Sequence, residues 1–171
     1  MDKYKLKEEH LYYLEFGVCN GSSFLWWVNS NNNPSSKFAG FDTFEGLPED
    51  WGIIFSKGDL KGSMPKIDDA RCELVKGLFQ DSLIPYLKSN KLNIGNRKII
   101  HLDADLFTST LFTLTTLSQY LNPGDIIIFD EFNTPNHEFF AWDIYTKSFY
   151  IKYKLIGAVN NYFQVAFEIQ A

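Results

Sequence analysis

Pro123-Gly124-Asp125-Ile126-Ile127-Ile128-Phe129-Asp130-Glu131 holds the strongest strand signal of the chain, an apolar run that ends in two acids. Three β-branched residues followed by phenylalanine leave neither face polar. That is the pattern of a central strand covered on both sides in a parallel sheet. Upstream, the helical spacing of Phe107–Leu121 stops at Asn122-Pro123-Gly124, an ordinary C-terminal signal. Further back, Leu11–Val18, Phe38–Asp42, Cys72–Val75 and Lys98–Asp103 read as strands. Between them, Phe24–Asn29 reads as a helix that Ser22 or Ser23 can cap. Phe79–Asn90 is helical because Phe79, Leu83, Tyr86 and Leu87 share one face. Gly46–Ser63, with its glycines, Pro48 and Trp51, reads as a loop holding one short helix. Downstream, a helix over His137–Phe149 precedes Tyr153–Ala158 and Tyr162–Ile169, which flank Val159-Asn160-Asn161 as a closing hairpin. Strands alternating with helices and ending in a hairpin predict an α/β open sheet with one antiparallel edge.

Composition narrows the class. The chain has 171 residues, 16 basic and 21 acidic side chains, a net charge of −5, 45% hydrophobic residues and 17% aromatics. This suits one domain over residues 1–171, preceded by a short segment, 1–10, ahead of the first strand. The apolar content excludes a disordered chain, and no run approaches the ~18 apolar residues of a membrane span. The charged start MDKYKLKEEHLYY does not read as a signal peptide. Cys19 and Cys72 form no CxxC, which predicts a reducing, cytoplasmic setting. The acidic balance argues against nucleic-acid or membrane-surface partners.

In open α/β sheets, ligands bind beyond the carboxyl ends of the strands. Here those ends carry Glu15 to Gly21, Asp42, Lys76 to Asp81, Asp103 to Asp105 and Asp130-Glu131. Gly17 and Gly21 stand four apart at the first strand–helix turn, where a missing Cβ admits positive φ and close backbone approach. Asp42 ends the next strand about 20 residues on, a spacing that suits a ribose diol. The third glycine of a dinucleotide GxGxxG is absent and Cys19 occupies the middle place. That turn suits a nucleoside without phosphates better than a pyrophosphate, which disfavours a nicotinamide-dependent reductase. The plain structural alternative is an ordinary tight turn.

The acids at the fourth and fifth strand ends form a second constellation. Asp103 and Asp130 end strands which, if adjacent, lie about 4.7–4.9 Å apart, and Asp105 and Glu131 are close by. Carboxylates so crowded must take up a proton or share a cation. Oxygen-only donors favour Mg²⁺, with Mn²⁺ or Ca²⁺ as substitutes. Such a cation would bind an acceptor's hydroxyl and lower its pKa. The alternative is that these acids cap the following helices, which explains Asp105 but not four acids at adjoining ends. His137, near this edge, is a candidate second base or acceptor contact. His101, inside a strand, reads as a satisfied core histidine, and Cys19 as a packing residue. Trp26 and Trp27 point to different sides of their helix, and an exposed one hints at an oligomer contact.

Glu15-x-Gly17-x-x-x-Gly21 resembles the first motif of Rossmann-like S-adenosylmethionine-dependent methyltransferases. Gly40-Phe41-Asp42-Thr43-Phe44-Glu45-Gly46-Leu47-Pro48 is more specific and resembles GFDSFEGLP of the macrocin-type O-methyltransferases, which methylate sugar hydroxyls in macrolide and aminocoumarin antibiotic pathways. Lys76–Leu83, His101–Thr110 and Pro123–Phe132 are similar to that family's KGxFxDTL, HIDxDLYxST and PGGxxxxDDY. These five motifs occur in order between residues 11 and 132.

The resemblance implies a Rossmann-like three-layer sandwich around a seven-stranded, mostly parallel sheet of order 3-2-1-4-5-7-6. It implies S-adenosyl-L-methionine as cofactor, with Glu15, Gly17 and Gly21 on its methionine side and Ser22 and Thr43 among its further contacts. Asp42 would hold the ribose hydroxyls, Phe79, Gln80 and Asp81 would lie near the adenine, and Asp103 would serve both cofactor and metal. Asp103, Asp130 and Glu131 would hold the metal and Asp105 would be the general base. One departure is that the family usually has two aspartates at Asp130-Glu131. Another is that it usually carries helices before its first strand, where this chain has about ten residues. The acceptor, a sugar or other hydroxylated small molecule, would then meet an open pocket or one completed by a second copy in a homodimer. A degenerate fold that binds a cofactor or a protein without chemistry is the alternative.

Overall fold

Ile126–Phe129 is indeed central. In the computed structural model, which describes residues 4–90, 92 and 95–171, it pairs in parallel with Arg97–Leu102 on one side and antiparallel with Gln164–Ile169 on the other. In chain order the strands are β1 (Leu11–Phe16), β2 (Lys37–Asp42), β3 (Cys72–Lys76), β4 (Arg97–Leu102), β5 (Ile126–Phe129), β6 (Tyr153–Val159) and β7 (Gln164–Ile169). The helices are α1 (Ser22–Ser30), α2 (Phe79–Ser89), α3 (Phe107–Leu117) and α4 (Glu138–Ser148). The seven strands form one sheet in the order β3-β2-β1-β4-β5-β7-β6, with β5, β7 and β6 antiparallel, as expected. Of the expected segment 1–10, residues 1–3 lie outside the described residues. Among the described residues, no helix is long and apolar enough to cross a membrane.

The period of two along each strand sorts side chains to two buried faces. Leu14 and Phe16, Phe41, Ile100 and Leu102, and Ile127 and Phe129 face α2, α3 and α4. Leu11, Tyr13, Phe38, Ile99 and Ile126 face α1 with Leu6 and Ile67. Three helices therefore cover one face, while one helix and irregular chain cover the other. Phe16 and Phe41 stack at 4.8 Å, a pairing worth roughly 0.5–1.5 kcal/mol beyond area burial. Gly40 is required on the second face, since a Cβ there would lie 2.7 Å from Val18 and 3.1 Å from Phe24.

Several local expectations are corrected. Neither Ser22 nor Ser23 caps α1: the N-cap is Gly21 in the left-handed region (φ 84°), and Ser23 turns back to Glu15 instead. Helix α3 ends at Leu117 and continues only as a 3-10 turn, Ser118–Tyr120. Gly46–Ser63 holds no helix among the described residues, but a bridge between Trp51 and Phe55 whose rings stack at 5.2 Å. Val159 belongs to β6, and the hairpin turns through Asn160, Asn161 and Tyr162, all at positive φ. The outer strand β6 also shifts register between Leu155 and Gly157.

Candidate active site

Three backbone hydrogen bonds carry the ladder one residue past the strands. Gly17 N–H donates to Phe41 O at 2.9 Å, Asp103 N–H to Phe16 O at 2.9 Å, and Asp130 N–H to Leu102 O at 3.0 Å. Gly17, Asp103 and Asp130 thereby stand at the same edge. At Gly17 (φ 98°) a Cβ would lie 1.7 Å from the Asp103 carbonyl oxygen, so this glycine lets two strand ends close on each other.

The glycine turn is held from below and above. Asp42 Oδ2 accepts the N–H groups of Val18 and Cys19 at 2.8 and 2.7 Å, and Oδ1 accepts that of Phe44 at 2.6 Å. Glu15, fully buried under the turn, accepts Ser23 Oγ at 2.6 Å on Oε1 and the Tyr13 hydroxyl on Oε2. His101 Nδ1 lies 2.8 Å from the same hydroxyl and 3.6 Å from Glu15 Oε2. Burial lowers the His101 pKa, but Glu15's hydrogen bond and charge outweigh it and the net direction is up. His101 is thus a satisfied core histidine. Above the turn, Ser63 N–H donates to Asn20 Oδ1 at 2.9 Å, and Pro65 sits where a Cβ on Gly21 would come within 2.7 Å. Cys19 is exposed at φ 50°, which corrects its reading as a packing residue.

The acidic edge is built differently. One carboxylate oxygen each of Asp103, Asp105 and Glu131 lie within 4.8 Å of one another. Glu131 is 8% exposed, and its Oε2 is buried without a hydrogen-bond partner among the described residues. Burial, then the charge of Asp130, pushes both Asp103 and Asp105 up to about 7. Glu131 is pushed up by burial first and then by the charges of Asp103 and Glu138. Asp105 adopts φ 57°, where Leu106 N–H donates to Ala104 O at 2.5 Å. Hard oxygens drawn together with an orphaned acceptor among them fit a divalent cation.

A single cavity of about 340 Å³ joins the two constellations. Of the residues singled out from sequence, it is lined by Gly17, Cys19, Asp42, Thr43, Phe79, Gln80, Asp103, Asp105 and Glu131. Glu15, Gly21, Ser22, Asp81, Asp130 and His137 are not on its wall. Asp130 is close enough for its charge to act on Asp103 and Asp105. His137 stands behind Trp51, which meets it edge-on at 6.3 Å; burial lowers the histidine's pKa against the opposing charge of Glu49. Sequence reasoning missed the apolar wall of Leu47, Pro48, Leu60 and Leu78, most of it from the 46–63 loop. It also missed Glu138. Of these, the loop residues could have been found only by noticing that a loop so rich in apolar groups must cover something.

Comparison with known proteins agrees with this geometry. The family described as Macrocin-O-methyltransferase (TylF) matches residues 62–164, more than half of the chain. The calicheamicin methyltransferase CalS11 is similar in structure with a TM-score of 0.73 at 20% identity, over 98% of this chain and 75% of that one. The O-methyltransferase NovP is similar with a TM-score of 0.66 at 22% identity, over 95% and 72%. The Mg-SAM structure of CmcI is similar with a TM-score of 0.61 at 16% identity, over 98% of this chain and 67% of that one. No curated protein matches the chain by sequence. At these identities the structural likenesses establish the shared fold.

Proposed function

Since the chain belongs to the macrocin O-methyltransferase family, we propose that it transfers a methyl group from S-adenosylmethionine to a hydroxyl of a sugar or other small natural product, with a divalent cation at the acidic edge. The observation that carries this reading is the shared cavity: a glycine turn and Asp42 at one end, three converging carboxylates at the other.

S-adenosylmethionine supplies an electrophilic methyl group on a sulfonium sulfur. Gly17 and Thr43 form the near wall for it, and Asp42 Oδ1, with one backbone donor already, keeps a lone pair for a ribose hydroxyl. Leu78 and Phe79 give the adenine an apolar face, with Gln80 at its edge. Asp103 and Glu131, with Asp130 beside them, would hold a cation, whose charge would lower the pKa of an acceptor hydroxyl. Asp105 accepts that hydroxyl's proton as the carbon–sulfur bond breaks and the carbon–oxygen bond forms in line. A carboxylate near neutrality suits general-base work at ordinary pH. His137 is in reserve behind Trp51 as an acceptor contact that a movement of the loop would uncover.

Calorimetric titration with S-adenosylmethionine and S-adenosylhomocysteine, with and without Mg²⁺, tests the first half: micromolar binding of both is expected. Asp130→Ala tests the second half. It should abolish metal-dependent turnover and leave cofactor affinity largely intact, and equal loss of both would overturn the assigned roles.

A further inference from the structure

Glu138 opens α4 and is wholly buried, yet it faces no cation side chain within hydrogen-bond reach among the described residues. Its partners are two backbone amides from different loops. Oε2 accepts the N–H of Glu131 at 3.0 Å, and Oε1 accepts the N–H of Ala104 in a longer bond of 3.4 Å. Ala104 is the residue between Asp103 and Asp105, and Glu131 is the third member of the acid group. One carboxyl thus spans the loop after β4 and the loop after β5. Those loops carry like charges, which repel and would drift apart. Toward β4, backbone pairing beyond β5 ends with Asp130, and the next bond, from Phe132 N–H to Phe163 O at 2.8 Å, runs to the other side, so among the described residues no ladder bond ties Glu131 to the β4 side.

We propose that Glu138 is a positioning residue that sets the spacing of Asp103, Asp105 and Glu131, and through it the affinity of the acidic site for a divalent cation. The cation part rests on the functional reading above. A carboxyl in this place does what a charged clamp on the surface could not. Deep burial excludes water from competing for the two amides, so replacing the group leaves donors unsatisfied on both loops. Outer groups that hold ligands in place typically change metal affinity 10–100-fold when removed.

The test uses the whole chain and two variants. Glu138→Leu removes both acceptors, and Glu138→Gln keeps one oxygen for the shorter bond while turning an amide donor toward the other N–H. Mn²⁺ affinity is read by calorimetry, exchange of the Ala104 and Glu131 amides by NMR, and folding by near-ultraviolet circular dichroism. The expected result for Glu138→Leu is a 10–100-fold weaker Mn²⁺ affinity with faster exchange at both amides; Glu138→Gln should lose less and expose Ala104 more than Glu131. Unchanged Mn²⁺ affinity in a folded variant overturns the proposal. If Glu138→Leu does not fold, Glu138→Gln decides by the same readouts. If the wild type binds no Mn²⁺, the metal reading falls and exchange alone decides the clamp: two amides protected in the wild type and exposed in the variant uphold it, and wild-type-like exchange sinks it.

Discussion

The two ends of the cavity both contain carboxylates, but they treat them in opposite ways. At the β1–β2 end every oxygen of Glu15 and Asp42 has a donor: Ser23 and the Tyr13 hydroxyl for one, three backbone amides for the other. At the β4–β5 end Asp103, Asp105 and Glu131 crowd together, and a buried oxygen of Glu131 has no partner among the described residues. Every oxygen of the first group already has a donor within the protein. The second is short of donors, and the proposed cation reading rests on that shortage. Backbone donors go to shaping the glycine turn, and the acids on the other side are the ones that the proposed function uses.

The sharpest way to break the comparison is at the point where the two ends touch. Gly17→Ala places a Cβ against the Asp103 carbonyl at a φ of 98°, and should cost more than about 4 kcal/mol of stability or prevent folding. Urea titration reads this, and a mild effect would mean that the two strand ends are not locked together. Next in size is the pH response of the metal-free protein. Asp103 and Asp105 bind protons more tightly folded, at about 7, than unfolded, near 3.8. Their contribution is therefore present below pH 4 and lost as the pH rises through 7, a change on the order of a few kcal/mol. Thermal melts with chelator at pH 5 and pH 8 should show the loss, and Mg²⁺ at pH 8 should reverse it. A flat profile would place these acids with the satisfied group.

A smaller effect is expected at the complete end. Asp42→Asn leaves one acceptor oxygen for three amides and should cost about 1–3 kcal/mol, with weaker S-adenosylmethionine binding by calorimetry. Insensitivity of stability would mean that the turn holds without its carboxylate. The smallest effect belongs to a carboxylate of neither kind. Glu45 pairs with Lys76 at 2.8 Å on the open surface, and Lys76→Ala should leave the melting temperature unmoved.

Strand bodies were legible because Ile126–Phe129, Ile99–Leu102 and Leu11–Phe16 are buried on both faces and carry the signal in consecutive residues. The strand order is not in any local pattern; it came with the five motifs. Gly17, Asp42, Asp103 and Glu131 were found because strand ends are marked in sequence. What escaped was long-range. Pro65 and Ser63 close over a turn more than 40 residues earlier, and Glu138 reaches back 34 residues to Ala104. An acidic residue in the first turn of a helix is so ordinary that nothing marked Glu138 as different. The misassigned cap at Ser22 has a similar cause. Serine before an apolar helix is a common cap, but Glu15 outcompetes the backbone for Ser23, and Gly21 takes the left-handed place.

The register shift in β6 bears on how the protein behaves when concentrated. An open sheet ends in strands whose free backbone groups would accept a strand from another molecule. Here the last strand bulges between Leu155 and Gly157 and carries Lys154, while the opposite border is only five residues long and displays Glu73 and Lys76. Neither border offers a long, flat, uncharged template. Straightening β6 by replacing Gly157 with a β-branched residue and Lys154 with an apolar one would therefore be felt first in the test tube as fibrous precipitate.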